Sequence, residues 1–304
     1  MSANEAMSRV RVALLTALAM IAFAGNSIFC RLALKDTAID AATFTSLRII
    51  SGALALWVIL RLRAGPSRVA GSWSSALALF AYAAAFSFAY VTLSAGTGAL
   101  LLFGAVNGTM IAYGLWIGER LPVSQMAGLA LAFAGLVGLL LPGITAPPLL
   151  GAALMVGAGI AWGVYSLRGK GGGDATAATA GNFIRAVPFA VALFISASSR
   201  VSVEPTGFVY AVMSGALTSA VGYAIWYAAL RGLAASSAAT VQLSVPVIAA
   251  VAGVIFLGEA ITLRLVIASV AILGGIAVII LSRQRAAATR TARPTRHARG
   301  LSGE

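Results

Sequence analysis

Arginine inside an apolar helix is costly, and this sequence places two there, Arg48 and Arg185. Each stands about eight or nine residues into a hydrophobic run, roughly 12 Å deep at the helical rise. Charge at such depth costs several kcal/mol, so both side chains are expected to face a wet cavity or a polar partner. There they could attract a carboxylate or shape the cavity potential; capping of carbonyls and reaching out between helices are the alternatives. Pro246 removes a helical hydrogen bond, and Gln242 and Ser244 just before it offer replacement partners, which predicts a kinked helix lining a binding site. Asn26 and Asn107 supply amides that both donate and accept, as a zwitterion requires, or that bond across helices. Pro188, just after Arg185, is expected to bend its helix without touching a ligand.

Aromatic residues cluster as Tyr82, Phe86 and Tyr90, as Trp162 and Tyr165, and as Tyr223, Trp226 and Tyr227. The first set follows i, i+4, i+8 and shares one helix face, as do Trp162 and Tyr165 at i, i+3. A pocket of such rings suits apolar or aromatic side chains and, through cation-π contact, an amino group. Belts of Trp and Tyr at a membrane interface are the competing explanation.

Covalent and metal chemistry have no candidate set. All eight acids, Glu5, Asp36, Asp40, Glu119, Asp174, Glu204, Glu259 and Glu304, fall in tails, loops or at helix ends. The single cysteine is Cys30 and the single histidine, His297, lies in the tail, so no disulfide framework, metal site or cofactor is expected. The run Gly169-Lys170-Gly171-Gly172-Gly173 evokes a phosphate loop, yet Val164 stands where its first glycine belongs and Gly171 where Ser or Thr should bind the metal. A flexible link is the better reading, and no enzyme is expected.

The elements that must position these residues are set by composition. The 304 residues are 60% hydrophobic and 10% charged, against roughly a quarter charged in soluble domains. Apolar runs at about 10–32, 41–60, 73–93, 97–117, 122–141, 148–168, 177–198, 207–230, 234–257 and 262–282 are each long enough to cross a bilayer as a helix. Alternating patterns that would suit a membrane barrel are missing. The first run, with Arg9, Arg11 and Ala22-Phe23-Ala24, also has the look of a signal peptide. Its counterpart deep in the chain argues for retention: Ala24 and Arg31 recur as Ala161 and Arg168. Placing both termini in the cytoplasm leaves only Arg31, Lys35, Arg200 and Arg264 of the loop and tail positives outside, and the excess of inner positives selects that orientation. The net charge of +13 is thereby read as topology and as a basic tail near anionic lipid, without a nucleic-acid partner.

The same offset pairs Arg48 with Arg185 and Tyr90 with Tyr227; after a slip of three, Gly118-Glu119 pairs with Gly258-Glu259 and Gly135 with Gly275. Two five-helix copies follow, and an odd number forces the second to enter the bilayer in the opposite sense, with a site between them. The expected organisation is an all-α integral membrane protein: a cytoplasmic N-terminus at 1–9, a first repeat at 10–141, a periplasmic linker at 142–147, a second repeat at 148–282 and a disordered basic tail at 283–304. Gly128, Gly135 and Gly138 in helix 5 and Gly274 and Gly275 in helix 10 permit close backbone approach, and both helices are expected to be packing elements outside a cavity made by helices 1 to 4 and 6 to 9.

With Gly25-Asn26 through Arg31, Arg48, Gly118-Glu119, Ala161-Trp162-Gly163, Gly222-Tyr223 through Trp226-Tyr227 and Ala228, Pro246 and Gly258-Glu259 in this order, the sequence resembles the ten-helix EamA-type members of the drug/metabolite transporter superfamily. The resemblance implies export or exchange of small metabolites, frequently amino acids, by alternating access in a bacterial inner membrane. It also implies a mid-helix proline in the fourth span, where Val106-Asn107 stands instead, so the two halves are not expected to flex alike. Without a membrane-embedded acid, gradient-driven export or exchange is favoured over a proton relay. Nucleotide-sugar or drug transport on the same fold, with the two arginines meeting phosphate, is the nearest alternative. A membrane scaffold acting through its basic tail is the more distant one. A small-molecule substrate and the bilayer are the expected partners, and a monomer is compatible with the sequence.

Overall fold

The computed structural model describes residues 8–63, 69–143, 146–169, 173–197, 202–233 and 235–291. Arg68, Thr145, Lys170, Arg200 and the tail beyond 291, His297 included, lie outside the described residues. Among the described residues, ten helices are long and apolar enough to cross a membrane. We number them α1 (Arg9–Asp36), α2 (Ala41–Leu62), α3 (Trp73–Tyr90), α4 (Ala95–Trp116), α5 (Val123–Leu140), α6 (Leu149–Arg168), α7 (Ala175–Ser196) and α8 (Pro205–Leu230). The ninth, α9, is built of two pieces, Ala235–Gln242 and Ser244–Leu257, and α10 spans Leu263–Thr291.

Short polar residues set where the helices begin. Asp40 accepts hydrogen bonds from the backbone N–H groups of Ala42 and Thr43 at the head of α2, and Asp174 does the same for Thr176 and Ala177 at the head of α7. Ser72 and Ser94 cap α3 and α4, so the long apolar stretch around residue 94 turns within four residues. Pro122 precedes α5 and Pro205 opens α8, where a missing N–H leaves nothing unpaired. Gly118 and Gly258 adopt positive φ of 92° and 62°, which glycine reaches without a Cβ penalty, and each lets the following Glu direct its N–H back onto the preceding helix.

Packing shows the two halves. α1 packs against α8 and the second piece of α9, just as α6 packs against α3 and α4; α2 lies on α8 as α7 lies on α3. The pairs α2 with α7 and α5 with α10 map onto themselves under the same exchange. With five spans per half, the relating axis lies in the membrane plane, and the halves are inverted. The α5–α10 pair stands apart and packs closely: a Cβ on Gly128 would sit 2.6 Å from the Gly275 carbonyl, and Gly135 lies against Ala271 and Ile272. Gly138 and Gly274, also expected to permit close backbone approach, face open space instead.

Two elements differ from expectation. The last helix continues to Thr291, so its described part covers residues 283–291, which were expected as disordered tail. The alanines and arginines of that stretch are strong helix formers, and Gln284 Nε2 reaches Thr240 Oγ1 at 3.4 Å. Within α8, residues Met213–Val221 are π-helical, an irregularity that no residue pattern announced.

Candidate functional site

A cavity of about 520 Å³ lies between the halves. Its described wall comes from α1, α3, α4, α6, α7, α8 and α9, while α5 and α10 contribute nothing, and neither does α2, which stands behind α3, α7 and α8. Asn26, Tyr82, Phe86, Trp162, Tyr165, Tyr223, Trp226 and Gln242 all line it, so residues from five helices converge on one space. Trp162 is the hub: its ring centroid is 4.8 Å from Tyr82, 5.2 Å from Tyr165 and 5.4 Å from Tyr223, the last two stacked. Phe23 meets Tyr223 and Trp226 edge-on at 5.7 and 5.9 Å.

Other residues singled out in sequence stand off the wall. Arg48 is 2% exposed and sits behind Tyr82 and Phe86, with its guanidinium 5.1 and 4.9 Å from their ring centroids. Its Nη2 donates to the Tyr82 hydroxyl at 3.0 Å, and Nη1 has no partner among the described residues. The π-helical turn of α8 comes close here because Gly215 has no side chain; a Cβ there would collide with the Arg48 carbonyl. Arg185, the repeat counterpart of Arg48, instead donates to the carbonyls of Ala70 and Gly181, the capping role that the sequence had left open. Tyr90 is buried against Phe86 and donates to the Ala95 carbonyl, and Asn107 turns back on its own helix to Phe103. Ser244 gives its hydroxyl to the Val241 carbonyl at the break in α9, three residues before the buried Pro246. Pro188 lies within an uninterrupted α7 on its outer surface.

One wall of the cavity went unread in the sequence. Asn182 accepts from the Ser72 backbone N–H at 2.9 Å and donates to Tyr165 at 3.3 Å; Thr179 pairs with Tyr165 and, at 3.0 Å, with Tyr227. Thr179 and Asn182 share one face of α7 at i, i+3, a signal that Arg185, three residues on, overshadowed. Arg168 stands at the mouth with Gly71, Ser72 and Ser75, donating to the hydroxyls of Ser74 and Ser75.

The mouth lies at the end of the bundle that bears both chain termini, because α6 ends and α3 and α7 begin there. The opposite end is closed. Arg31 pairs with Glu259 at 3.2 Å and donates to the carbonyls of Tyr90 and Val91; the other Glu259 oxygen accepts the Ala95 N–H at 2.8 Å. Lys35 adds a bond to the Leu257 carbonyl at 2.8 Å. Helix α1 thus ties the α3–α4 turn of the first half to the α9–α10 turn of the second.

A cavity enclosed by inverted halves, open at one end and latched at the other, is the architecture of a secondary carrier. Residues 149–281 match the EamA-like transporter family. An uncharacterized protein of Pseudomonas aeruginosa is 57% identical over 274 residues, 90% of this chain and 96% of that one. The chain belongs to the EamA-like transporter family, within the drug/metabolite transporter superfamily. An uncharacterized transporter of Archaeoglobus fulgidus is 29% identical over 78% of this chain and 86% of its own. The threonine/homoserine exporter RhtA of Salmonella typhimurium is 38% identical over 121 residues, 38% of this chain and 39% of that protein. A solved crystal structure superposes with a TM-score of 0.63 over 91% of this chain and all of its own, at 20% identity, which bears on the fold alone. This EamA-like transporter is therefore a multi-pass membrane protein of the same architecture.

Proposed function

We propose that this transporter exports or exchanges small metabolites, most plausibly amino acids with apolar or aromatic side chains, by alternating access across a bacterial inner membrane. The cavity is the observation that carries this reading: its volume of about 520 Å³ lies within the range of small-ligand pockets, roughly 300–1,000 Å³. Its wall mixes stacked rings with the amides of Asn26, Asn182 and Gln242, which suits a molecule with an apolar body and a polar head. The partial likeness to a threonine/homoserine exporter points the same way. Both termini lie in the cytoplasm by the distribution of positive loop residues, so the open mouth faces inward and the Arg31–Glu259 latch faces out.

Counterflow in proteoliposomes, against amino acids, nucleotide sugars and cationic drugs, tests the cargo class. Exchange of amino acids at equal pH on both sides is expected, and a strict need for a pH gradient would count against a carrier without an embedded acid. Trp162→Ala and Gln242→Ala should each lower exchange about tenfold while membrane insertion persists; unchanged kinetics in both would move the site elsewhere. Removal of the chain after Ser282 should leave exchange intact, whereas its loss with insertion preserved would favour a scaffold acting through the tail. Orientation is tested in a Cys30→Ala background, where Gly173→Cys should react with impermeant maleimide from the cytoplasmic face and Thr145→Cys from the periplasmic one.

A further inference from the structure

We propose that the Tyr82 hydroxyl, polarised from behind by Arg48, anchors a carboxylate, so that the cargo is a small monocarboxylate without net positive charge. The proposal rests on the transport reading above and names its substrate class.

The hydrogen bonding of Tyr82 leaves its proton as the one unused capacity. Its oxygen accepts from Arg48 Nη2 at 3.0 Å and from Asn26 Nδ2 at 3.2 Å. The Asn26 amide is turned that way because its own oxygen accepts from Ser214 Oγ at 2.6 Å and from Thr218 Oγ1 at 3.4 Å. Two incoming donors occupy both lone pairs of the phenol oxygen. No described group accepts the Tyr82 proton, although the side chain lines the cavity and its ring is held against Trp162 and Phe86. A donor left without an acceptor in a wall of rings costs free energy that a ligand acceptor returns.

Charge selects the acceptor. Arg48 is buried and its Nη1 has no partner among the described residues, and none of the described residues lining the cavity is Asp or Glu. Its guanidinium withdraws electron density from the phenol oxygen, which strengthens the outgoing O–H bond toward an anion. Arg168 at the mouth carries the same sign. Amines and cationic drugs meet two like charges and no counter-ion, whereas a carboxylate is drawn inward past one arginine toward the other. Arg48 itself stays behind the wall, so it is a positioning residue that acts through Tyr82, and the hydroxyl is the contact.

The test uses the purified full-length protein and the fluorescence of its tryptophans, two of which, Trp162 and Trp226, face the cavity. Titration with 3-phenylpropionate, 3-phenylpropionamide and 3-phenylpropylamine should show the carboxylate binding about 10–100-fold more tightly than the amide, with the amine weakest. Tyr82→Phe keeps the ring and should erase that preference, because the carboxylate loses far more affinity than the amide, whose neutral carbonyl makes the weaker hydrogen bond. Arg48→Met combined with Tyr82→Phe removes both partners, leaves no stranded guanidinium, and should erase it equally if the single variant fails to fold. Wild-type protein that binds amide and carboxylate alike, or a Tyr82→Phe variant that keeps the preference, would overturn the anchor. Parallel titration and exchange with L-phenylalanine separates the two levels. Tyr82-dependent binding of phenylpropionate without any binding of phenylalanine would sink the amino-acid reading and leave the anchor standing, and absence of all carboxylate binding would sink both.

Discussion

Side chains at single positions decide how the turns at the latched end hold together, and Asp40 is the clearest case. Its carboxylate lies outside the spans. Partial burial alone would raise its pKa, but hydrogen bonds from the Thr43 hydroxyl and from the backbone N–H groups of Thr43, Ser202 and Ala42 outweigh that and hold it below the ordinary value. A group with a depressed folded pKa adds stability that is present above its unfolded pKa, about 3.9, and is lost as pH falls through the folded one. The melting temperature of detergent-purified Asp40→Asn should thus lie below that of wild type at neutral pH, and the gap should close as pH drops below about 4. A gap that stays constant to pH 3 would mean that the ionised carboxylate contributes nothing beyond its shape. Residue types were the most legible part of the site: rings at helical spacing and Asn26 in an apolar run announced a polar, aromatic wall. Facing was not legible. Depth along the helix gives the cost of burying Arg48, but its partner Tyr82 comes from another helix, and only packing shows that Arg48 lies behind the wall while Arg185 caps carbonyls.

Helices were legible almost to their ends, because a bilayer leaves few alternatives to uninterrupted apolar runs punctuated by Asp, Ser, Pro and Gly. Two features of elements were not. The π-helical turn of α8 answers the close approach of Gly215 to α2, a tertiary contact, and the persistence of α10 past Ser282 reflects local propensity in a region judged by its charge. Asymmetry between halves was half-visible: α9 breaks at Leu243 ahead of Pro246, while α4, with Val106-Asn107 at the corresponding place, runs unbroken from Ala95 to Trp116. Glycines give a sharper test of element packing, since two on the same helix differ in surroundings. A Cβ on Gly128 meets the Gly275 carbonyl at 2.6 Å, whereas one on Gly138 meets nothing within 4 Å. Gly128→Val should therefore destabilise by about 1–3 kcal/mol, the usual cost of overpacking, and Gly138→Val should be nearly neutral in the same thermal-melting assay. Since α5 and α10 lie off the cavity, exchange per folded molecule should be equal in both variants. Equal melting temperatures would mean that the two helices separate readily.

On the proposed alternating-access reading, duplication links these local devices into two states. The repeat maps Arg31 onto Arg168 and Glu259 onto Glu119, and both glutamates follow a left-handed glycine at equivalent helix ends. Arg31 and Glu259 are joined at 3.2 Å across the latched end, whereas Arg168, at the open mouth, is held by serine hydroxyls. Inverted halves can exchange conformations, so the state opened at the other face is expected to part Arg31 from Glu259 and bring Arg168 to Glu119. Each contact then stabilises one state only, and removing it shifts the population toward the other. Glu259→Gln keeps an oxygen for the Ala95 N–H but discharges the pair; at roughly 1–3 kcal/mol for a charged hydrogen bond, the shift should be at least fivefold. With Cys30→Ala as background, a cysteine in place of Ser27 on the cavity wall reports access from the latched face. Labelling there by impermeant maleimide should speed up with Glu259→Gln and slow down with Glu119→Gln. Two glutamates acting only as helix caps would change stability alike and leave labelling unmoved, so opposite signs for the two variants are the signature of paired latches, and a shared sign would end that account.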